Sequence, residues 1–321
     1  MLVKKLVATG LAIVVTLGLA ACDPPLPPEI LAAQAEKTVT CVDGNMALSS
    51  PAKISDVIDS WSTSLTGACK GMTITKVAED KAQAVITLGT PIAPKCTPFA
   101  TLPIGEDAGV LAYSLADAPN LVLTAQNVQD IFSGKVTSWN DPSIAAANPD
   151  ATLPSEPIKV VGTPQQSEID ALTAWFKTLG VIFTPSLVKV TPIDAGVGLD
   201  KIAEGQIAVT SFSNALIAYS TVASIAVGKN LATADAAGVQ LGADKTAPKP
   251  KDGDPIGYGA TYPVMLSLCG ADNNVARALG RFMVRQDSQG ALGSAVIAAL
   301  PDSERVKSIS IVEKGLPKPK Q

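Results

Sequence analysis

Histidine is absent from all 321 residues, which excludes Ser-His-Asp and Cys-His catalysis, His-rich zinc sites and ordinary imidazole proton transfer. An enzyme built on this chain would depend on carboxylates, lysine or a cofactor. Aromatic residues supply only 4%, so core bulk must come from Ala, Val, Ile and Leu packed in close layers, as when helices lie on a sheet. Charge is sparse at 17%, yet 47% hydrophobic residues exclude a disordered or fibrous chain. The length exceeds one ordinary core and divides naturally into two lobes. A long apolar stretch is also nearly missing. Val209 to Gly228 carries no charge, but its recurrent Ser, Thr and Asn suit core strands joined by turns better than a lipid-facing helix.

The first residues read as a targeting segment. Lys4 and Lys5 precede an unbroken apolar and small run from Leu6 to Leu19, closed by Leu19-Ala20-Ala21-Cys22. That run is shorter than the ~20 residues of a usual spanning helix. Cys directly after Leu-Ala-Ala resembles the bacterial lipobox, in which the thiol is diacylated before cleavage; an ordinary secretory signal meeting a Cys is the alternative. Residues 1–21 are therefore expected to be a lipoprotein signal peptide, with Cys22 the lipidated residue, anchored to the bacterial cell membrane on its extracytoplasmic side. Residues 22–37 are expected to form a stalk, stiffened by Pro24, Pro25, Pro27 and Pro28. Without Lys4 and Lys5, two of the 25 basic residues, 23 remain against 29 acidic ones, a net charge of −6. Nucleic acid is not an expected partner.

Four more cysteines, Cys41, Cys69, Cys96 and Cys269, lie in an oxidising compartment on this reading, so two disulfides are expected and three pairings are possible. Cys41 with Cys69 is favoured, because a strand followed by a helix brings those two positions to the same side of a sheet. Cys96 with Cys269 follows by elimination. A catalytic thiol is the competing role, weakened by the lack of His or a Cys-x-x-Cys pair.

Strand and helix patterns alternate along the body. Thr38 to Val42 is short and β-branched, and Ser49-Ser50-Pro51 opens a helix with Ile54, Val57, Ile58, Trp61 and Leu65 on one face. Strands are predicted at Met72–Val77, Ala84–Leu88 and Gly109–Leu115. Thr124 caps a helix with Leu123 and Val128 as its hydrophobic staple, and Gly134 ends it. The rhythm predicts an α/β fold with a mostly parallel sheet covered by helices.

The segment Leu123 to Pro142 carries Ile131-Phe132-Ser133-Gly134-Lys135 and the turn Trp139-Asn140-Asp141-Pro142, followed by Asn148-Pro149 and Leu153-Pro154 leading into a strand at Ile158–Val161. This order resembles the signature of PstS-type phosphate-binding proteins, solute-binding components of ABC importers. Softer likenesses are Tyr262-Pro263-Val264, an amphipathic helix over Val275 to Arg285, and Ala299-Leu300-Pro301. The resemblance implies a two-lobed periplasmic-binding-protein-like fold of type II, with mixed sheets flanked by helices. Lobe one would comprise 38–112 plus 258–315 and lobe two 113–257, the chain crossing near Ala112-Tyr113 and again near Gly257–Tyr262. A small anion, phosphate, would sit between the lobes, an ABC permease would be the partner, and the chain would be a monomer needing no cofactor or metal.

Carried over residue by residue, the ligand-binding lining would be Ser49, Ser50, Thr90, Thr163, Gln165, Gln166 and Ser167. The family's Arg and Ser-Gly-Thr are replaced here by Gly162-Thr163-Pro164-Gln165-Gln166-Ser167-Glu168, and its Asp falls at Gly89 or Thr90. Thr163-Pro164-Gln165-Gln166 reads as a capping box that satisfies the helix end from within. A diverged binding module of the same fold, taking a neutral ligand or a protein partner, is therefore the alternative. Enzyme chemistry ranks last, resting on Asp194, Asp200 and Glu204 around Gly196-x-Gly198.

Overall fold

Alternating burial at Met46 and Leu48 places one side of β1 (Gly44–Ser49) against the core. The computed structural model describes residues 36, 38–89, 97–191 and 199–316. A 3-10 turn at Ala52–Ile54 leads into α1 (Ser55–Ala68), whose Val57, Ile58, Trp61 and Leu65 are buried. These follow the helical spacing read from the sequence. Then come β2 (Met72–Lys76), β3 (Ala84–Leu88) and the 16-residue β4 (Pro98–Tyr113). The next group is β5 (Val122–Thr124), α2 (Ala125–Phe132), α3 (Pro142–Ala145), β6 (Lys159–Val161) and α4 (Gln166–Thr178). After it come β7 (Gln206–Ser211), α5 (Phe212–Ile217), β8 (Thr221–Val222), β9 (Ser224–Val227), β10 (Asn230–Ala232) and α6 (Ala236–Ala243). The chain closes with β11 (Thr261–Cys269), α7 (Asn274–Met283), α8 (Gln286–Gln289) and α9 (Asp302–Glu313).

The main sheet runs β2-β1-β3-β11-β4-β7-β6, with β8 beside β4, and a smaller sheet runs β10-β9-β5. β1 is parallel to β2 and β3, and β6 to β7, while β11 is antiparallel to β3 and β4. The architecture is thus mixed α/β, as the sequence rhythm implied, but less parallel than expected, because β4 and β11 cross the middle in opposite directions. β4 pairs with β11 through Ala108, then with β7 from Gly109 to Tyr113. One continuous strand therefore belongs to both halves of the sheet.

Two expectations need correction. Thr38 to Val42 is not a strand; pairing begins at Gly44 opposite Met72, so the residues before it run past the end of β2 and have no neighbouring strand to bond. Val39 and Val42 pack on the core instead. The uncharged stretch Val209 to Gly228 is also not strands alone: its centre is α5, started by the Ser211 hydroxyl, which accepts the Asn214 N–H at 3.1 Å. Among the described residues no helix is long and apolar enough to cross a membrane.

The signature segment is built into the scaffold. Thr124 and Asn127 cap α2 reciprocally, each side chain accepting the other's backbone N–H at 3.0 Å. Leu123 and Val128, the two staple positions, are both fully buried, and Gly134 has φ of +80° just beyond the helix. Trp139 is fully buried and its Nε1–H donates to the Gly205 carbonyl at 3.2 Å. Asp141 caps α3, and Asn148 ties α3 to β5 by accepting from Val122 N at 2.8 Å and donating to Val122 O at 2.7 Å.

Cys41 and Cys69 form a disulfide with Cα atoms 5.3 Å apart across a separation of 28 residues. Cys269 is disulfide-bonded as well, and Cys96, its expected partner, lies outside the described residues. Replacing Cys41 and Cys69 together by Ser is expected to lower stability by about 3–4 kcal/mol in the chain-entropy model, read from urea unfolding. A loss below about 1 kcal/mol would show that the unfolded chain gains little freedom from opening this loop. Nearby, Glu36 is held by two arginines: its carboxylate pairs with Arg305 and its carbonyl accepts from Arg285 Nε at 2.7 Å.

Candidate functional site

Strand β6 ends at Val161, and the chain turns through Gly162, at φ +84°, into α4. This is the strand-end, helix-start crevice where open α/β sheets place ligands. The helix starts two residues later than the sequence suggested. Thr163 is exposed and is not the cap; Gln165 is, and its N–H donates to Glu168 Oε2 at 2.9 Å. Pro164 disfavours a helical Thr163, and Thr191 N donates to the Pro164 carbonyl at 2.9 Å, so the helix cannot begin before this contact is passed. Gln166 is exposed and donates to Asp170 Oδ1 at 2.7 Å, whereas Gln165 and Ser167 are buried.

The first turn of α4 lies hard against the other half of the molecule. A Cβ on Gly89, at the end of β3, would stand 2.4 Å from Ser167 Cβ, and one on Gly109 of β4 would stand 2.4 Å from the Glu168 carbonyl oxygen. Only glycine admits these approaches. Beside Ser167 lies a cavity of 320 Å³, lined also by Gly89, Asp170, Thr261, Tyr262 and Met265. Two hydroxyls border it, both buried: Ser167 Oγ, which has no hydrogen-bond partner among the described residues, and Tyr262 Oη, which faces Asp107 and Ser211 of the seam. Burial also pushes the Tyr262 hydroxyl well above its ordinary range.

A second cavity of 320 Å³ opens beside Glu168, with Thr163, Asp200, Lys201 and Thr210 among its walls and Val161, Ile202 and Val209 as apolar floor. Glu168 is 2% exposed, and burial pushes its carboxyl up to about 7 despite the Gln165 N–H and the Lys53 ammonium, which both favour the charged form.

Between the halves sits a closed polar cluster. Lys53, in the turn after β1, donates to Asp107 Oδ2 at 3.1 Å and to Ser211 Oγ at 3.0 Å. Asp107 is fully buried on β4; Ser213 Oγ donates to its Oδ2 at 2.5 Å, and the N–H groups of Ala108 and Ser213 donate to its Oδ1 at 2.9 and 3.2 Å. The carboxylate thus occupies the start of α5 as a built-in anion.

Of the residues nominated from sequence, the structure brings Gln165, Gln166 and Ser167 together at α4 and puts Thr163 on the Glu168 cavity. Ser49 ends β1 opposite Val85, with Ser50 just beyond, both half-buried. Thr90 and Asp194 lie outside the described residues. Glu204 is engaged in a turn, accepting from Ala116 N at 2.8 Å and Ser114 Oγ at 3.1 Å. Lys53, Asp107, Ser211, Ser213 and Tyr262 were missed. Glu106-Asp107 at the head of an apolar strand was the available signal, since a carboxylate in such a run needs a buried partner.

This arrangement, a mixed sheet shared by two halves with helix starts and hydroxyls facing the seam, is that of the extracytoplasmic solute-binding proteins. Residues 38–286 match the PBP superfamily domain, and the chain belongs to that superfamily. Phosphate-binding protein PstS3 of Mycobacterium bovis (strain BCG / Pasteur 1173P2) is 37% identical over 71 residues, 22% of this chain. That match spans 19% of the relative's own length. A Clostridium perfringens protein described as a phosphate ABC transporter substrate-binding protein, with bound phosphate, has a TM-score of 0.50 at 13% identity, covering 80% of this chain and 100% of its own. A high-affinity periplasmic phosphate-binding protein, PfluDING, bound with phosphate, gives 0.51 at 15% identity over 83% and 93%. Both likenesses concern the fold.

Proposed function

We propose that this chain is the extracytoplasmic solute-binding lipoprotein of a phosphate-type ABC importer, anchored through Cys22 and delivering a small oxyanion, phosphate, to a permease. Its lobes are 38–112 plus 258–315 and 113–257, and it acts by binding, without catalysis. The observation that carries this reading is the cavity at the start of α4, lined by Tyr262 and by Ser167, whose buried Oγ has no partner among the described residues. Helix amino ends attract oxyanions; here the capping box engages the Gln165 and Glu168 N–H groups, and the Ser167 hydroxyl in the first turn adds a donor. The test is calorimetric titration of the mature chain, Cys22→Ser, with inorganic phosphate. Micromolar binding is expected, weakened at least tenfold by Ser167→Ala together with Tyr262→Phe.

A second reading is favoured by the charges around that cavity. No arginine faces it, Asp170 lines it, Glu168 caps the helix, and the Lys53 ammonium is engaged by Asp107 and Ser211. Lacking the charge-assisted bonds of an arginine costs about 1.5–3 kcal/mol of binding. On this reading the module has left phosphate for a neutral solute or a protein partner. Absence of any heat at millimolar phosphate would overturn the first reading and leave this one.

A further inference from the structure

The cavity beside Glu168 is separate from the one beside Ser167, and the proposed phosphate site does not use it. Two of the polar groups lining it are buried: Glu168, 2% exposed, whose carboxyl accepts the Gln165 and Ser211 N–H groups and keeps lone pairs to spare, and Thr210, 4% exposed, whose hydroxyl has no partner among the described residues. At the mouth stand Lys201, which forms no ion pair with a described residue, and Asp200 and Thr163. A buried carboxylate and an exposed ammonium thus line one small space. A dianion would meet Glu168 and Asp200, and a simple cation would meet Lys201. A molecule with an ammonium at one end and a carboxylate at the other satisfies both.

We infer that this cavity binds a short zwitterion of the ω-amino acid class, its ammonium donating to Glu168 and Thr210 and its carboxylate accepting from Lys201. The complex forms by hydrogen bonding and charge pairing alone. Charged or titratable groups facing Glu168 are Lys53 and Asp107 from the seam, Tyr262 from β11, and Asp200 and Lys201 from the cavity wall. With its carboxyl pushed up to about 7, Glu168 holds a proton below that pH and is charged above it, while the ligand's ammonium stays protonated throughout. Zwitterion binding therefore strengthens as pH rises, the reverse of what an anion beside the same carboxylate would do.

The experiment is titration of the mature chain, Cys22→Ser, with β-alanine and γ-aminobutyrate as probes, at about pH 6 and about pH 8. Binding at millimolar or lower concentration is expected, several-fold tighter at the higher pH. Glu168→Gln keeps the acceptor for the Gln165 N–H and is expected to weaken binding at least tenfold and to flatten the pH response; Lys201→Met, at an exposed position, should weaken it comparably. Thr210→Val, close to isosteric, should cause a smaller loss. No heat with either probe at high millimolar concentration, unchanged affinity in Glu168→Gln or Lys201→Met, or equally tight binding of propionate would each overturn the inference. Inorganic phosphate displacing β-alanine would overturn it too, by merging the two cavities into one site.

Discussion

Lys53→Met is expected to destabilise the protein by about 3–5 kcal/mol, because it strands the Asp107 carboxylate inside the seam with three neutral donors and no cation. Asp107→Ala should cost a similar amount, for then the Lys53 ammonium keeps, among the described residues, only the Ser211 hydroxyl as a hydrogen-bond partner, with the Glu168 carboxyl as the charge it still faces. Urea unfolding followed by tryptophan fluorescence measures both. Replacing the pair together, Lys53→Met with Asp107→Leu, should recover much of the loss, since the isolated charge rather than the missing attraction is the larger penalty. If either single variant loses less than about 1 kcal/mol, water reaches the seam and the cluster is not closed.

Trp139→Ala should cost about 3–5 kcal/mol through the cavity left by a fully buried indole, together with the bond to the Gly205 carbonyl. Thermal unfolding reads the effect. The variant also separates two roles for the signature segment. As a packing device, its loss lowers stability while phosphate affinity of the folded fraction is unchanged. A large fall in that affinity at constant stability would instead place the segment at the ligand.

These results bear on what sequence can reveal. The helices and their caps were legible because periodicity and capping are local: Thr124 with Asn127, Gly134 at positive φ, and the buried face of α1 all follow from residues within a few positions. The signature segment was legible for the same reason, and its conspicuous residues prove to bind one another. The seam was not. Lys53 meets Ser211 across 158 positions, and Asp107 meets Ser213 across 106, so no window of sequence holds both partners. The start of α4 fell between these cases. Its approximate place was readable, but the contact of Thr191 with Pro164 moved the cap from Thr163 to Gln165. The 3-10 turn at Ala52–Ile54 likewise precedes α1, where Pro51 suggested an immediate helix.

The two arginines on Glu36 determine how the body responds to tension in the chain ahead of it. A tug arriving at residue 36 is borne by guanidinium groups on either side of α8, one just before it and one within α9, both almost wholly buried. A pull on residue 36 would therefore have to break these contacts, and then load the Cys41–Cys69 disulfide, before it reached β1 at Gly44.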